Sequence, residues 1–201
     1  MILLTGGSGL LGRELRKHLK CYAPSSAEFD ILRPPDVPHG VSMIVHAAAY
    51  TDVARAEVER EEAYGLNVIG TLNMALSGLP LVYISTEYVF DGLRGGYDEY
   101  DEPSPVNVYA RTKYLGERMA RRAVRWLVIR TLFKPRPFEH PRAVTDQYNG
   151  IKLIAFPWQS IDTPVVMTSW GHLQRFERFN ASRASDFIER NRNRAPEPNA
   201  P

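Results

Sequence analysis

Tyr109 and Lys113 stand four residues apart in a segment of helical pattern, so both side chains leave one helix face and can meet one ligand. A phenol alone titrates at about 10, and a neighbouring ammonium stabilises the phenolate and draws that value toward neutrality. Such a pair can deliver a proton, although two ordinary surface residues at this spacing would look the same. Ser85 and Thr86 end an apolar run from Leu81 that reads as a buried strand. The carboxyl end of such a strand is where doubly wound sheets place ligand-contacting groups, and a hydroxyl there can hold a carbonyl oxygen. Strand-end capping is the other use of the same hydroxyls.

A third group has the chemistry of anion binding. In Thr5-Gly6-Gly7-Ser8-Gly9-Leu10-Leu11-Gly12, three glycines fall three apart between a short apolar run, Ile2 to Thr5, and a helical pattern of Leu10, Leu11, Leu15 and Leu19. Without Cβ atoms the backbone can turn sharply and approach a pyrophosphate, while the helix amino terminus offers free N–H groups and the positive end of its dipole. A tight turn that merely packs is the plainer alternative, but the strand-turn-helix context favours a dinucleotide. The choice between NAD(H) and NADP(H) usually rests on the end of the second strand, where this chain has Pro24-Ser25-Ser26. Neither an acid nor a base stands there. Arg13 or Lys17 can reach a 2′-phosphate and the serines would not repel one, so the balance tips to NADP(H).

The elements that must position these groups alternate. After the first strand, turn and helix, residues 20 to 25 are expected as a strand and Asp30 to Leu32 as a turn, with Pro34, Pro35 and Pro38 forbidding a long helix. Ser42 to Ala49 reads as a buried strand, Val53 to Ser77 as one long helix ended by Pro80, and Leu81 to Ser85 as a strand. A Gly/Pro-rich loop leads to a helix over Val108 to Ala123, and a strand covers Trp126 to Arg130. Alternating strands and helices predict an α/β fold, a Rossmann-type doubly wound parallel sheet. Beyond Arg130, frequent prolines break the pattern until a helix around Ala184 to Arg190, and the tail Arg194 to Pro201 has the composition of a disordered end. The expected division is a dinucleotide-binding domain over 1–131, a reduced substrate-binding region over 132–193, and a tail over 194–201.

Bulk properties narrow the partners. A net charge of +2 with dispersed arginines gives no footprint for nucleic acid, and no apolar run approaches the ~20 residues of a membrane span. Cys21 is the single cysteine, which rules out an internal disulfide and fits a reducing, cytoplasmic setting; the start of the chain has no leader pattern. His46 has no second ligand beside it in sequence, so no metal site is expected.

The motifs already quoted, together with His46-Ala47-Ala48-Ala49-Tyr50-Thr51, Tyr83-Ile84-Ser85-Thr86-Glu87-Tyr88-Val89-Phe90-Asp91-Gly92 and Tyr109-Ala110-Arg111-Thr112-Lys113, resemble extended short-chain dehydrogenases/reductases. Within that group they are most similar to the dTDP-4-dehydrorhamnose reductase family, over residues 1–131. The resemblance implies reduction of a nucleotide-linked 4-keto-6-deoxysugar. In it, Tyr109 protonates the keto oxygen, Lys113 binds the nicotinamide ribose and lowers the tyrosine pKa, and Thr86 hydrogen-bonds the carbonyl. It further implies a cofactor site of Gly6, Ser8, Gly9, Leu10, Leu11, Gly12, Asp30, Ile31, Ala47, Ala48, Ala49, Asn67 and Ser85 with Tyr109 and Lys113, and substrate contacts at Thr86, Glu87 and Tyr88. Relatives often carry asparagine where His46 stands and aspartate where Glu87 stands. Arg130 ends its strand as in relatives, and Asp146-Gln147-Tyr148 is similar to their Asp-Gln segment. Nucleotide-sugar dehydratases carry two consecutive acids after the threonine, whereas Glu87 is followed by Tyr88, which favours a simple reductase over a dehydratase or epimerase. The short carboxy-terminal region leaves a second alternative open, a non-catalytic NAD(P)-binding regulatory subunit. It also leaves room for a homo-oligomer in which another subunit completes the pocket.

Overall fold

The computed structural model describes residues 1–93, 97, 100–132 and 165–169. Strand β1 (Ile2–Thr5) leads through the glycine turn into helix α1 (Leu10–His18) and a short β2 (Cys21–Tyr22). Turns without a helix fill the chain up to β3 (Met43–His46), as the prolines require. Helices α2 (Val53–Ala56), α3 (Arg60–Tyr64) and α4 (Gly70–Ala75) precede β4 (Leu81–Thr86), and α5 (Val108–Ala120) precedes β5 (Trp126–Leu132) and β6 (Val165–Ser169).

All neighbouring strands run parallel in the order β2-β1-β3-β4-β5-β6, with Ile2 opposite both Cys21 and Met43, Leu81 opposite Trp126, and Val128 opposite Val165. The chain steps from β1 to one side, then returns to the other side at β3. The crevice beyond the carboxyl ends of β1 and β3 is therefore a topological switch point, the place where open parallel sheets bind ligands.

Alternation along the strands explains why they are apolar throughout. Leu3, Ile44, Leu81, Tyr83 and Val128 pack against Met74 and Ala75 of α4 and Ala120 of α5. Ile2, Leu4, Met43, Val45, Val82 and Leu127 face the other way, toward Leu15 and the adjoining Leu19 at the end of α1. A sheet buried on both faces has no polar side to show.

Three expectations are corrected. The single helix over Val53 to Ser77 is broken: Glu57–Glu59 separate α2 from α3, and Gly65–Ile69 form one π-helical turn before α4. Glu57, in the break, bonds to the first turn of α5, and Asn67, in the wide turn, bonds to Tyr50 and Thr112. Strand β3 ends at His46: Ala47 N–H makes one last bond to β1, at Thr5 O (3.2 Å), and the backbone of Ala47 and Ala48 then lies against Gly6 of the glycine turn. The region after Arg130 holds a strand that was not expected, β6, which Pro164 immediately precedes; proline is tolerated at a strand start. The helix expected around Ala184 to Arg190, the Asp146-Gln147-Tyr148 segment and the tail 194–201 lie outside the described residues.

Candidate active site

The glycine turn forms a cradle that a Cβ would fill. Gly6 has φ +72°, and a Cβ there would sit 2.5 Å from Ala48 N. At Gly12 a Cβ would sit 2.1 Å from Gly6 O, so α1 rests directly on the turn. Gly9 closes the turn by donating to Gly6 O (3.0 Å), and no side chain caps α1, which leaves its first N–H groups for an anion. Ser8, Gly9 and Leu10 are exposed at this mouth. These features fit a dinucleotide pyrophosphate. The tight contact also makes a stability prediction: Gly12→Ala should lose at least ~2 kcal/mol through overpacking, measured by urea denaturation. Gly9→Ala, whose Cβ would meet only Gly6 O at 3.3 Å, should lose clearly less. Equal losses would refute the contact as the cause.

Behind the cradle, His46 is fully buried, with Nδ1 2.6 Å from Thr5 Oγ1 and Nε2 3.1 Å from Thr71 Oγ1. Thr71 gives its own proton to Asn67 O (2.8 Å), so Nε2–H is the donor and Nδ1 accepts from Thr5, which in turn accepts from Ala48 N–H at 3.4 Å. Both ring nitrogens are thus spent on hydroxyls. Burial first, and the Lys113 charge second, push the imidazole pKa down to about 3.

Asn67 sits in the π turn and is buried. Its Oδ1 accepts from Tyr50 N–H (2.8 Å), and its Nδ2 donates to Tyr50 O (3.1 Å) and Thr112 Oγ1 (2.9 Å). The side chain therefore ties the Ala47–Tyr50 segment to α5. Glu57 adds a second tie, its Oε1 accepting from Val108 N–H (2.7 Å), while Asn107 caps α5 by accepting from Ala110 N–H (2.8 Å). Both hold the first turn of α5, which carries Tyr109.

Tyr109 is 9% exposed and its phenol lies beside Thr86. Thr86 donates to Glu87 Oε2 (3.0 Å) and accepts from Tyr88 N–H (3.2 Å), and the Tyr88 ring meets the Tyr109 ring edge-on with centroids 5.8 Å apart. Thr86, Glu87, Tyr88 and Tyr109 are thus brought together, as the motifs imply. The electrostatics differ from expectation. Burial first, then the Glu87 carboxylate, hold the Tyr109 phenol well above its ordinary range. Lys113 does not lower it, because the Lys113 Nζ donates to Ile84 O (2.7 Å) and lies 4.3 Å from the centre of the Tyr83 ring. Burial draws Lys113 itself down to about 7, against a smaller opposing pull from Glu117.

Ser85 points away from this group. Its hydroxyl donates to Glu117 Oε1 (2.6 Å), and Glu117 accepts two further bonds from Arg130, at 2.9 Å from Nε and 2.8 Å from Nη2. Sequence reasoning missed Glu117. The signal was present, since it continues the spacing of four from Tyr109 through Lys113 along the same helix face. Asp30 and Ile31 are also otherwise engaged: Asp30 caps Leu32 N–H (2.9 Å) and pairs with Arg33, and the Ile31 side chain joins the core.

The two buried bases give a pH dependence. Each binds its proton less readily when folded, so the unfolded chain takes up protons that the native state refuses, and stability falls as pH falls. For Lys113 the loss runs from its ordinary 10.5 down to about 7, and for His46 from 6.5 down to about 3. Urea denaturation should therefore show higher stability at pH 8 than at pH 5. His46→Asn should flatten the limb below pH 6.5, a difference on the order of 2 kcal/mol at pH 5. A limb unchanged by that substitution would count against the buried neutral histidine.

Two family models match this chain. Residues 1–133 match the family model described as RmlD substrate binding domain, and residues 126–201 match a second, described as protein of unknown function (DUF3105). The dTDP-4-dehydrorhamnose reductase of Mycobacterium tuberculosis (strain ATCC 25618 / H37Rv) is 36% identical over 135 residues, 58% of this chain and 44% of that protein. Methionine adenosyltransferase 2 subunit beta of Danio rerio is 38% identical over 136 residues, 58% of this chain and 42% of its own length. The crystal structure of dTDP-4-dehydrorhamnose reductase from Bacillus anthracis str. Ames in complex with NADP superposes with TM-score 0.58 at 37% identity, over 65% of this chain and 52% of that one. The chain thus spans about half the length of the relatives it matches.

Proposed function

We propose that this chain, which belongs to the RmlD substrate binding domain family, binds NADP(H) or NAD(H) and reduces a nucleotide-linked 4-keto-6-deoxysugar, with Tyr109 as proton donor. The observation that carries this reading is Tyr109 set beside Thr86 at the carboxyl end of β4, on the sheet whose β1 and β3 ends hold the glycine cradle. A bound nicotinamide would supply a hydride. Gly6, Gly9 and Gly12 would hold its pyrophosphate, the Ala47–Ala49 segment would line its riboses, and Lys113 would meet the nicotinamide ribose. Thr86 would turn its hydroxyl from Glu87 to the keto oxygen, and Tyr109 would protonate that oxygen. Burial and the Glu87 carboxylate keep the phenol in its protonated form at neutral pH, so the proton to be given is in place. Residues 132–193 would supply the remaining substrate contacts.

Similarity to a methionine adenosyltransferase subunit supports a second reading, a cofactor-binding subunit without turnover. One experiment separates the two. NADPH and NADH binding is measured by calorimetry, and consumption of reduced cofactor is then followed on adding dTDP-4-keto-6-deoxysugars. Binding with turnover supports the reductase, binding without turnover on any such sugar supports the subunit, and failure to bind either cofactor overturns both.

A further inference from the structure

The reaction proposed above leaves His46 unused, yet the residue is fully buried and bonded on two sides. On one side its Nδ1 accepts from Thr5 Oγ1 (2.6 Å), and that oxygen accepts from Ala48 N–H (3.4 Å). Ala48 N is the atom that a Cβ on Gly6 would meet at 2.5 Å, so the Thr5 bond fixes the backbone against which the glycine turn rests. On the other side Nε2–H donates to Thr71 Oγ1 (3.1 Å), and Thr71 donates to Asn67 O (2.8 Å) in the π turn. Asn67 Nδ2 donates to Thr112 Oγ1 (2.9 Å), which donates to Tyr109 O (2.8 Å). A continuous path of hydrogen bonds through the buried side chains of Thr5, His46, Thr71, Asn67 and Thr112 thus runs from the glycine turn to the backbone of Tyr109.

We propose that His46 is a positioning residue with two separable arms: through Thr5 it sets the glycine turn for cofactor binding, and through Thr71 it sets the helix segment that presents Tyr109. This rests on the reductase reading above. A neutral imidazole suits the task because its two nitrogens point apart, one accepting and one donating. Side-chain amides reach one arm each. The amide of asparagine comes about where Nδ1 stands, near Thr5, and that of glutamine about where Nε2 stands, near Thr71. His46→Asn therefore keeps the arm to the turn, and His46→Gln keeps the arm to the π turn. Thr71→Val and Thr5→Val cut the same two arms from their far ends while keeping the shape of the side chain, so each histidine variant has a threonine counterpart.

Three measurements on the full chain and these four variants test the arms: cofactor affinity by calorimetry, backbone hydrogen exchange over residues 5–12 and 108–113, and kcat at saturating cofactor. His46→Gln and Thr5→Val should weaken NADPH and NADH alike by about three- to tenfold, the range that one net hydrogen bond is worth, and speed exchange in the glycine turn. Their kcat should stay within about twofold. His46→Asn and Thr71→Val should leave affinity within about twofold, speed exchange over 108–113, and lower kcat by about three- to tenfold. Should a histidine variant fail to fold, its threonine counterpart carries the same expectation. Histidine variants that shift the same segment and the same parameter overturn the proposal, as does a fall in the urea midpoint alone, which is all that a packing role would produce. Binding without turnover overturns the reductase reading and the Tyr109 arm with it, while affinity still decides the Thr5 arm. Failure of the unaltered chain to bind either cofactor overturns the dinucleotide reading and both arms.

Discussion

Glu117→Gln is expected to destabilise the fold by about 3–5 kcal/mol, because it leaves the Arg130 guanidinium charged and buried without its counter-ion. Arg130 is 2% exposed and Glu117 is fully buried, so water screens neither. Nη1 of Arg130 has no hydrogen-bond partner, and the guanidinium rests 5.1 Å from the centre of the Phe90 ring. The pair therefore has little reserve once one partner goes. Attraction within the pair offsets the loss of hydration of both ions, and the sum is close to what apolar side chains of similar size would give. The double replacement Glu117→Leu with Arg130→Met should accordingly regain much of the loss, falling short of the parent by the ~1–3 kcal/mol that the buried Ser85 hydroxyl costs once Glu117 no longer accepts from it. Urea denaturation of the three chains decides this. A loss below about 1 kcal/mol for Glu117→Gln would mean that something other than Glu117 neutralises Arg130.

That pair also shows where sequence reading reached its limit. The strands were legible because a sheet buried on both faces must be apolar over its whole length, and Ile2–Thr5, Leu81–Thr86 and Trp126–Leu132 sit where continuous apolar runs place them. The glycine turn was legible because glycine spacing reports backbone geometry directly. Tyr109 and Thr86 were legible as a pair through motif and helix spacing. What could not be read were long-range polar matches. Glu117 finds Arg130 across 13 residues, Glu57 finds Val108 N–H across 51, and Asn67 finds Thr112 across 45. Local pattern does not encode such partners. The break between α2 and α3 and the π turn at Gly65–Ile69 carry two of those matches, through Glu57 and Asn67, and local pattern alone suggested one continuous helix there. The Tyr109 electrostatics failed for a related reason. Sequence spacing places Lys113 near the phenol, but in the fold the ammonium bonds to Ile84 O, and burial with Glu87 dominates.

Tyr109→Phe should reduce turnover on the keto-sugar by about 10²–10⁴-fold, the usual contribution of a positioned proton donor, while cofactor affinity stays within about twofold. The separation follows from what the hydroxyl touches. The hydroxyl lies beside Thr86 at the end of β4, and the glycine cradle lies at other strand ends, so deleting one oxygen removes the acid and leaves the anion site intact. The fold should tolerate the change. Thr86 keeps its bond to Glu87 and its acceptance from Tyr88 N–H, and the phenylalanine ring still fills the space beside Tyr88. The kinetic signature should lie in kcat more than in KM, since the lost interaction acts as charge develops on the keto oxygen. Lys113→Met should instead weaken cofactor binding together with turnover, because its amine would meet the nicotinamide ribose. If Tyr109→Phe kept full turnover, the proton would have to come from elsewhere. Glu87 would be the first group to test, being 4% exposed and bonded to the Thr86 hydroxyl.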